Sequence, residues 1–405
     1  MSDRRGSVWS RRVRAVGARS VFFLSDHRWI LLSLAVVLVG VVSVWVALPF
    51  VVNLLLALLA VVMLVIEFRG YLRARGEIDF PGRPSDQFRD VQASYSTDSR
   101  YEFWRMPCGS FVFDRDGSNA VRHGLVTAEL MDEPYELAPE LSDFGRVFEK
   151  RRAARIDFYN GAVLGLSNDV DLGPTGGGVV RLTPATYRDH LSSDIFAMHD
   201  VVVAGRRRSE FGRRLFVDRR ARLRSFESSW LLNSVGTSAI ALTTDGKVLL
   251  VEQSTKNESS GGLLAPSGSG SLEPQDFGGS RVLGLAEVLA TGAMRELREE
   301  AGILETDIVG YEFLGIGRWV QKAAKPEAFT LVHLGIDSDT ATRREIPADD
   351  RPFSVRKRSV RVVDPVGEPD VERVDELIED EAVRSRLSLP LWVGVALMLR
   401  SARAD

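Results

Sequence analysis

The sequence has 405 residues, of which 45% are hydrophobic and 26% charged, with a formal net charge of -3 at pH 7. This charge argues against a protein that grips a nucleic-acid backbone, so neither DNA nor RNA is expected as a partner. The single cysteine, Cys108, excludes an internal disulfide framework and a cysteine-based zinc site. The length allows two ordinary folded units and an additional segment.

The additional segment is an apolar run at residues 29–68, which follows a basic tail at residues 1–28. Each membrane crossing needs about 20 apolar residues, and Pro49 divides the run into two predicted spans, Trp29–Leu48 and Phe50–Glu67. Arginines flank both ends, which places both termini in the cytoplasm. The sequence therefore predicts a transmembrane hairpin in the cytoplasmic membrane. A cleaved signal peptide is the competing interpretation, but the run is far longer than such a segment needs.

The next part of the chain is predicted as a linker at residues 69–100 and a β-rich extension at residues 101–230. The string FVFDRDGSNAV, residues 111–121, predicts a β-hairpin around its Asp-Gly pair. The glycine-rich GPTGGG, residues 173–178, lies between strand-like runs. No Lys-Ser/Thr pair follows it, so a flexible turn is predicted and not a phosphate-binding loop.

Residues 231–385 are predicted as a globular domain with helices packed on a mixed sheet, an α+β or α/β fold. Residues 233–254 predict a β-hairpin around a Thr-Asp-Gly turn, followed by a loop, a helix and two further strands. The acidic tract at residues 368–384 predicts an exposed helix. The apolar end of the chain, within residues 386–405, is too short to span a bilayer and predicts a C-terminal core helix.

The predicted helix of this domain carries a dense set of carboxylates in AMRELREEAGIL, residues 293–304. Residues three and four apart share a helix face, so Glu296, Glu299 and Glu300 should converge, and Arg295 should reach Glu299. Like charges placed this way repel one another, and a divalent cation would convert the repulsion into a binding site. The alternative is a solvated helix that tolerates the crowding.

These residues resemble the Nudix box. Glu287 is followed after seven residues by RELREEAGI, residues 295–303, and every fixed position of the motif from its first glutamate onward is met. The leading glycine is replaced by Arg281, which suggests an insertion before the helix. The serine-rich PSGSGSLEP, residues 266–274, resembles the glycine-rich loop of the family. The resemblance covers residues 231–385 and implies the Nudix fold.

The resemblance also implies a site. Glu296, Glu299 and Glu300 would hold Mg²⁺, and Glu299 and Glu300, with Arg295 as orienting residue, would act in catalysis. In this family the bound cation neutralises a diphosphate and helps water attack phosphorus.

The nucleotide is expected beside this helix. The candidate contacts are the loop residues Ser267, Gly268 and Gly270, together with Trp319 as a stacking surface and Lys322 as a phosphate contact. The alternative for Trp319 is an aromatic ring packed against the sheet.

The order of segments adds a second resemblance. Residues 153–385 are similar to Nudix proteins related to nucleoside-diphosphate-sugar hydrolases. The apolar hairpin before them resembles the two-transmembrane, SMODS-associated Nudix effectors encoded beside bacterial cGAS-like nucleotidyltransferases in CBASS anti-phage systems.

Two functions follow from these resemblances. The first is a homo-oligomeric effector in the inner membrane, which senses a cyclic nucleotide made by a cGAS-like nucleotidyltransferase and disrupts the membrane. The second is a membrane-tethered, Mg²⁺-dependent Nudix hydrolase of a nucleoside diphosphate derivative or nucleotide-sugar. The three retained carboxylates favour the hydrolase, whereas Arg281 and the apolar hairpin favour the effector. Because a hydrolase of a soluble substrate has no obvious need for two membrane helices, the sequence predicts the effector, with the hydrolase as the alternative.

Overall fold

A computed structural model describes residues 51–52, 54, 58–59, 61–62, 65, 78–82, 88–153, 160–171, 177–203, 206–208, 211–254, 261–348, 354–365 and 367–403. The chain divides into two compact units. The first comprises residues 1–81 and 201–209, and the second comprises residues 82–200 and 210–405.

Sixteen strands are described: β1 Ile78–Asp79, β2 Tyr101–Met106, β3 Gly109–Asp114, β4 Val126–Leu130, β5 Ala162–Leu166, β6 Gly178–Thr186, β7 Val201–Val203, β8 Arg206–Arg208, β9 Gly236–Leu242, β10 Lys247–Gln253, β11 Leu264–Pro266, β12 Gly268–Ser271, β13 Val282–Gly284, β14 Ile308–Trp319, β15 Lys325–Leu334 and β16 Ser354–Arg361.

The described α-helices are α1 Arg89–Tyr95, α2 Arg115–Arg122, α3 Pro139–Ala153, α4 Tyr187–His190, α5 Arg213–Phe216, α6 Leu285–Ala301, α7 Ser338–Arg343, α8 Glu381–Arg384 and α9 Leu389–Ser401. A π-helical turn, Leu191–Ile195, continues α4. The described 3-10 turns are Phe226–Ser228, Pro274–Phe277, Glu305–Asp307, Val320–Lys322 and Val371–Leu377.

The predicted localisation as a multi-pass protein of the inner membrane is contradicted. No helix within the described ranges is long and apolar enough to cross a bilayer. The predicted span Trp29–Leu48 lies wholly outside the described residues, and only scattered positions of Phe50–Glu67 lie within them.

A nine-stranded sheet organises the second unit. Seven strands follow the order β11-β10-β9-β15-β14-β3-β2, while β12 also pairs with β9 and β16 with β10. The β9–β15 pair is parallel, and the other pairs are antiparallel. A smaller sheet has the order β13-β4-β6-β5. In the first unit, β1, β7 and β8 form a three-stranded antiparallel sheet.

The hairpin predicted at residues 233–254 is confirmed as β9 and β10. Thr243 donates its backbone N–H to the carbonyl of Lys247 over 2.9 Å, which closes the turn. Gly246 takes a φ of 71°, a left-handed conformation that glycine adopts without a Cβ penalty. The Asp-Gly pair therefore acts as the sequence predicted.

The two faces of the large sheet bury different helices, because successive side chains of a strand point to opposite faces. Ala239 and Ala241 of β9 pack in the same buried cluster as Leu297 of α6. Ile240, between them, packs with α9 on the other face, where Gly394 lets the helix approach closely. The predicted C-terminal core helix is confirmed as α9, which is buried along almost its whole length.

The hairpin predicted at residues 111–121 is wrong. Asp114 ends β3 and accepts the backbone N–H of Gly117 over 2.9 Å, which caps α2. Aspartate is among the strongest N-cap residues, and its side chain satisfies an N–H that the first helical turn leaves unpaired. The actual hairpin joins β2 and β3 one step earlier in the chain.

Two other expectations change. The predicted acidic helix at residues 368–384 is a 3-10 turn, Val371–Leu377, followed by the short α8, and Val374 and Val383 are buried. The predicted linker at residues 69–100 contains α1, whose Val91 and Tyr95 are buried. Most of the glycine-rich turn at residues 173–178 lies outside the described residues.

The predicted boundary near residue 230 does not separate compact units. Strand β3 of the predicted extension pairs with β14. Strand β4 of the extension pairs with β13, which directly precedes α6. The two predicted domains therefore share both sheets, and each contributes to the surroundings of α6.

Candidate functional site

Helix α6 carries the Nudix-like carboxylates and ends where the sequence predicted. Gly302 has a φ of 67° and donates its backbone N–H to the carbonyl of Arg298 over 3.1 Å. A Cβ at this position would lie 1.9 Å from the carbonyl oxygen of Glu345. Both the left-handed turn and the close approach therefore require glycine.

Strand β12 lies against the second half of α6, and two glycines permit the contact. A Cβ on Gly268 would lie 2.3 Å from the backbone nitrogen of Leu297. A Cβ on Gly270 would lie 2.1 Å from Glu296 Oε1. The glycine-rich loop that was predicted to contact the nucleotide therefore packs against α6. The Glu296 carboxylate lies next to Gly270 of β12.

Arg295 is the centre of the acidic site, where it contacts several carboxylates at once. Its Nε and Nη2 donate to the two oxygens of Asp276 over 2.9 and 3.1 Å, in a bidentate pair. Its Nη2 also donates to the Ser271 carbonyl over 2.8 Å. Its Nη1 lies 2.8 Å from Glu296 Oε1 and 3.2 Å from Glu299 Oε2, so the predicted contact with Glu299 is present.

Glu299 and Glu300 differ in their surroundings. The Glu299 side chain is 41% exposed, and its contact in the site is with Arg295. Glu300 Oε2 accepts the backbone N–H of Ser269 over 2.9 Å, which ties this carboxylate to β12. Glu296 and Glu300 therefore lie at neighbouring positions along one strand, and Glu299 lies nearer to solvent.

The electrostatics of the site are dominated by burial and by an excess of acids. Burial raises the pKa of Glu296 to about 7, and the charge of Glu299 adds to this while that of Arg295 opposes it. Burial also raises the pKa of Glu273, whose carboxylate lies 3.7 Å from Arg295 Nη1. For Arg295, burial alone would lower the pKa, but the contacts with Asp276 and Glu296 raise it above its ordinary value.

The donor set fits Mg²⁺ in its chemistry. The Arg295 guanidinium lies within 3.7 Å of four carboxylic groups, namely Glu273, Asp276, Glu296 and Glu299. Glu300 adds a fifth, which accepts from the Ser269 backbone. Mg²⁺ prefers oxygen ligands and commonly uses one or two protein carboxylates together with waters and substrate phosphates. No group of three acidic, histidine or cysteine side chains is gathered as a ready ligand set within the described residues. Glu296 and Glu300, beside β12, would be the protein ligands, with Glu299 as a further oxygen donor.

Two acids of this site were missed in the sequence. Asp276 and Glu273 belong to the segment before α6, where Asp276 is 2% exposed in the 3-10 turn Pro274–Phe277. The signal that could have found them was the segment inserted before α6. Because this segment displaces the leading glycine of the motif, its acidic residues were candidates for contacts with the helix. Here it supplies the bidentate partner of Arg295.

The first residues of the motif lie outside the acidic site. Arg281, at the position of the leading glycine, forms an exposed ion pair with Asp132 at 2.5 Å. Glu287 is exposed in the first turn of α6. Arg281 therefore points to Asp132 and does not block the carboxylates.

Three predicted nucleotide contacts are buried elsewhere. Trp319 is 7% exposed and packs in the α9-face cluster, on the opposite side of the sheet from α6. Lys322 is 8% exposed, with its Nζ 4.5 Å from the centre of the Trp319 ring. Ser267 is fully buried and donates to the Ala239 carbonyl. The structure brings Gly268, Gly270 and the carboxylates together but does not bring Trp319 to them.

The sequence matches no protein-family model and no curated protein. It is similar to several solved structures. One is a NUDIX hydrolase from Nitrosomonas europaea, with 20% identity, a TM-score of 0.26, and coverage of 42% of this chain and 88% of that chain.

Two further structures are similar over the same share of this chain. A MutT protein from Methanosarcina mazei Go1 is 16% identical, with a TM-score of 0.25 and 95% of its chain covered. A Deinococcus radiodurans protein is 10% identical, with a TM-score of 0.26 and 83% of its chain covered. Because these similarities are weak, the assignment of the site rests on the positions of the side chains described above.

Proposed function

We propose that this chain contains a Nudix-type hydrolase domain that cleaves the phosphoanhydride bond of a nucleoside diphosphate derivative in the presence of Mg²⁺. One observation carries the proposal: Glu296 and Glu300 lie side by side along β12, and Arg295 holds Glu299 next to them. Carboxylate oxygens gathered at one end of a helix are the ligands that a divalent cation prefers.

The chain supplies positioning and proton transfer in this reaction. Arg295 is itself fixed by Asp276, so the carboxylates that it contacts are held in defined orientations. Mg²⁺, when bound, would neutralise the diphosphate and stabilise charge on phosphorus oxygens. Glu299, the more exposed of the carboxylates held by Arg295, is the group that can accept a proton from an attacking water.

The experiment is hydrolysis by the full chain of a panel of nucleoside-diphosphate sugars and dinucleoside diphosphates, with product analysis and with or without Mg²⁺. We expect Mg²⁺-dependent release of a nucleoside monophosphate. The variants Glu299→Gln and Glu300→Gln should lower the rate by about 100-fold or more, because each removes an oxygen charge without changing the shape of the side chain.

The matched control is Glu305→Gln. Glu305 lies just beyond α6, its side chain is 85% exposed, and it pairs only loosely with Arg298 at 3.4 Å. This variant should retain the full rate. Turnover that survives in Glu300→Gln, or equal losses in Glu305→Gln, would contradict the proposal.

A second candidate is binding of a nucleotide without turnover. The observation that favours it is that Arg295 already occupies oxygens of Glu296 and Glu299, while no three side chains in the described ranges are gathered as metal ligands. The proposed ligand in that case is a cyclic di- or trinucleotide. Tight binding of one of these compounds to the full chain, without hydrolysis of any diphosphate in the panel, would favour this candidate.

The remaining expectations from the sequence stay predictions. They are the role as a CBASS effector, the functional link to a cGAS-like nucleotidyltransferase, and the homo-oligomeric state. Co-occurrence of the gene with such a nucleotidyltransferase, together with the mass of the protein in solution, would test them.

A further inference from the structure

A cavity of about 210 Å³ lies in the second unit and contains none of the box carboxylates. It is formed where β14 meets β3, with further walls from α1, β2 and the segments around residues 166–170 and 222–226. Residues of the predicted extension form most of its lining. A concave site with apolar walls and a few inward polar groups is the usual form of a small-molecule pocket.

Arg318 of β14 is the most unusual group in this cavity. The residue is 9% exposed, and its guanidinium stacks on the Phe226 ring at 4.1 Å from the ring centre. Its Nε donates to the Ala324 carbonyl over 3.1 Å and its Nη1 to the Arg224 carbonyl over 2.5 Å. These contacts fix the plane of the guanidinium without neutralising its charge.

The second terminal nitrogen of Arg318, Nη2, has no hydrogen-bond partner among the described residues. A buried donor without a partner destabilises the fold, and more so when it is charged. Burial lowers the pKa of Arg318 below its ordinary value, and the charge of Asp169 opposes this effect. The protein thus keeps a fixed, charged donor at the cavity without providing its acceptor.

Asp169 is the complementary group. It lines the same cavity, and no ion pair joins it to Arg318 in the described part of the chain. Burial raises the pKa of Asp169 above its ordinary value, while the charge of Arg318 and the backbone N–H of Phe226 lower it. A cation and an acid therefore face one cavity without contacting each other.

The other charged groups of the lining already have partners. Asp114 accepts from Arg100 over 3.0 and 2.8 Å. Arg222 pairs with Asp98 at 2.5 Å and stacks over the Tyr95 ring. Arg318 and Asp169 are thus the two charged lining groups to which a ligand could supply hydrogen-bond partners.

The remaining walls are apolar and aromatic. Leu166, Ile316 and Pro326 supply apolar surface, and Tyr95 and Tyr101 supply aromatic rings. A ligand that fits must be small and partly apolar, and its polar edge must accept from Arg318 and donate to Asp169. A guanine base has this pattern, because O6 and N7 accept from an arginine while N1–H and the 2-amino group donate to a carboxylate.

We propose that this pocket is a second ligand site, separate from the acidic site, which binds a guanine base by completing the pair Arg318 and Asp169. Arg318 Nη2 donates to the acceptor edge of the base, and Asp169 accepts from its donor edge. This inference does not require hydrolysis at α6, and a free nucleoside is sufficient to test it.

The test is isothermal titration of the full chain with guanosine, inosine and adenosine, without divalent cations. Guanosine should bind at one site per chain. Inosine lacks the 2-amino donor and should bind several-fold more weakly. Adenosine lacks the O6 acceptor and the N1–H donor and should bind at least about tenfold more weakly, because the buried charges remain unpaired.

The variant Asp169→Asn keeps the shape of the side chain and should weaken guanosine binding by about tenfold or more. Its matched control is Asp171→Asn, an exposed carboxylate two residues along the same loop, which should bind guanosine as the wild-type chain does. Thermal denaturation of both variants verifies that they fold.

Glu299→Gln separates the two proposals, because it should abolish turnover at α6 and leave guanosine binding unchanged. Absence of guanosine binding at millimolar concentration would overturn the inference. Equal affinity for guanosine and adenosine, or unchanged guanosine binding in Asp169→Asn, would overturn it as well.

Discussion

Two buried arginines of the second unit have opposite surroundings. Arg295 contacts Asp276, Glu296 and Glu299 within 3.2 Å, and Asp276 and Glu296 raise its pKa against the opposing effect of burial. Arg318 is held by two backbone carbonyls and an aromatic ring, and burial lowers its pKa. The side chains are chemically identical, but acids surround one and neutral groups hold the other.

The difference separates two uses of a buried charge. At α6 the guanidinium fixes an array of carboxylates, so its loss would leave several buried acids without compensation. At the cavity the guanidinium is fixed by neutral groups, so its charge remains available to a ligand. The comparison therefore predicts that the two arginines contribute very differently to stability.

The largest effect is expected from Arg295→Met. Removal of the guanidinium leaves Asp276 and Glu296 buried without their partner, which should lower the free energy of unfolding by about 3–5 kcal/mol. Urea denaturation measures this loss. The control Arg298→Met removes an exposed arginine from the same helix and should change the free energy by less than about 0.5 kcal/mol. Equal losses for the two variants would break the comparison.

The next effect concerns the contact between β12 and α6. In Gly268→Ala the new Cβ meets helix backbone, which cannot rotate away, and we expect a loss of about 2–4 kcal/mol. In Gly270→Ala the Cβ meets the Glu296 carboxylate, the end of a side chain, so stability should fall less.

Affinity for Mg²⁺ should show the opposite order: Gly270→Ala should lose more affinity than Gly268→Ala, because the new Cβ displaces Glu296, a proposed ligand. Calorimetric titration of Mg²⁺ into both variants, with urea denaturation alongside, measures the two properties separately. Gly310→Ala is the control, since no atom lies within 4 Å of the new Cβ and φ is ordinary there. If Gly268→Ala lost more Mg²⁺ affinity than Gly270→Ala, in parallel with its larger loss of stability, the placement of Glu296 as a metal ligand would be contradicted.

A smaller loss is expected from Arg318→Met. The methionine retains apolar contact with Phe226, and Asp169 keeps its contact with the Phe226 backbone N–H, so the free energy of unfolding should fall by about 1–3 kcal/mol. Urea denaturation beside Arg295→Met makes the comparison direct. If Arg318→Met lost as much free energy of unfolding as Arg295→Met, Arg318 would stabilise the fold to the same extent, and the proposed difference between the two arginines would be wrong.

The pH dependence of stability distinguishes the acidic site further. The folded pKa of Glu296 is about 7, above its ordinary value of 4.5, so folding takes up a proton between these values. The contribution of Glu296 is therefore fully present below about pH 4.5 and is lost as the pH rises through about 7.

Glu296→Gln lacks this titration. Without metal, the stability of the variant relative to the wild-type chain should improve by about 2–3 kcal/mol between pH 5 and pH 8. Denaturation at both pH values measures the change. Added Mg²⁺ should diminish it by stabilising the ionised carboxyl of the wild-type chain. A relative stability that is independent of pH would contradict the assigned burial of this group.

The smallest effect is expected from Arg281→Ala. The ion pair with Asp132 joins two exposed side chains, so the free energy of unfolding should change by no more than about 0.5 kcal/mol. Hydrolysis should be unchanged. A strong loss of turnover would mean that the residue at the missing glycine position acts in the reaction, contrary to its place outside the acidic site.

The sequence predicted the local parts of the site well. The spacing of Glu296, Glu299 and Glu300 and the end of α6 at Gly302 follow from helix periodicity and from the conformational freedom of glycine. The β9–β10 hairpin follows from its turn chemistry. These features depend on residues that are close in the chain.

The missed parts depend on residues that are distant in the chain. Trp319 faces away from α6 because the register of β14 shifts between Phe313 and Gly315, which changes the faces of the residues that follow. A strand pattern cannot reveal such a bulge. Asp276 reaches Arg295 only through the fold of the inserted segment. The localisation was inferred from the apolar run and its flanking arginines, and the finding on the described helices contradicts it.

The pairing of β3 with β14 limits how the chain can be divided. A fragment beginning at residue 231 would lose β2 and β3 and leave Gly317, Arg318 and Trp319 without their strand partners. Unpaired backbone groups at a sheet edge are a template for association with other chains. The box region expressed alone is therefore expected to aggregate, and shortened versions intended for crystallisation or spectroscopy should begin no later than α1.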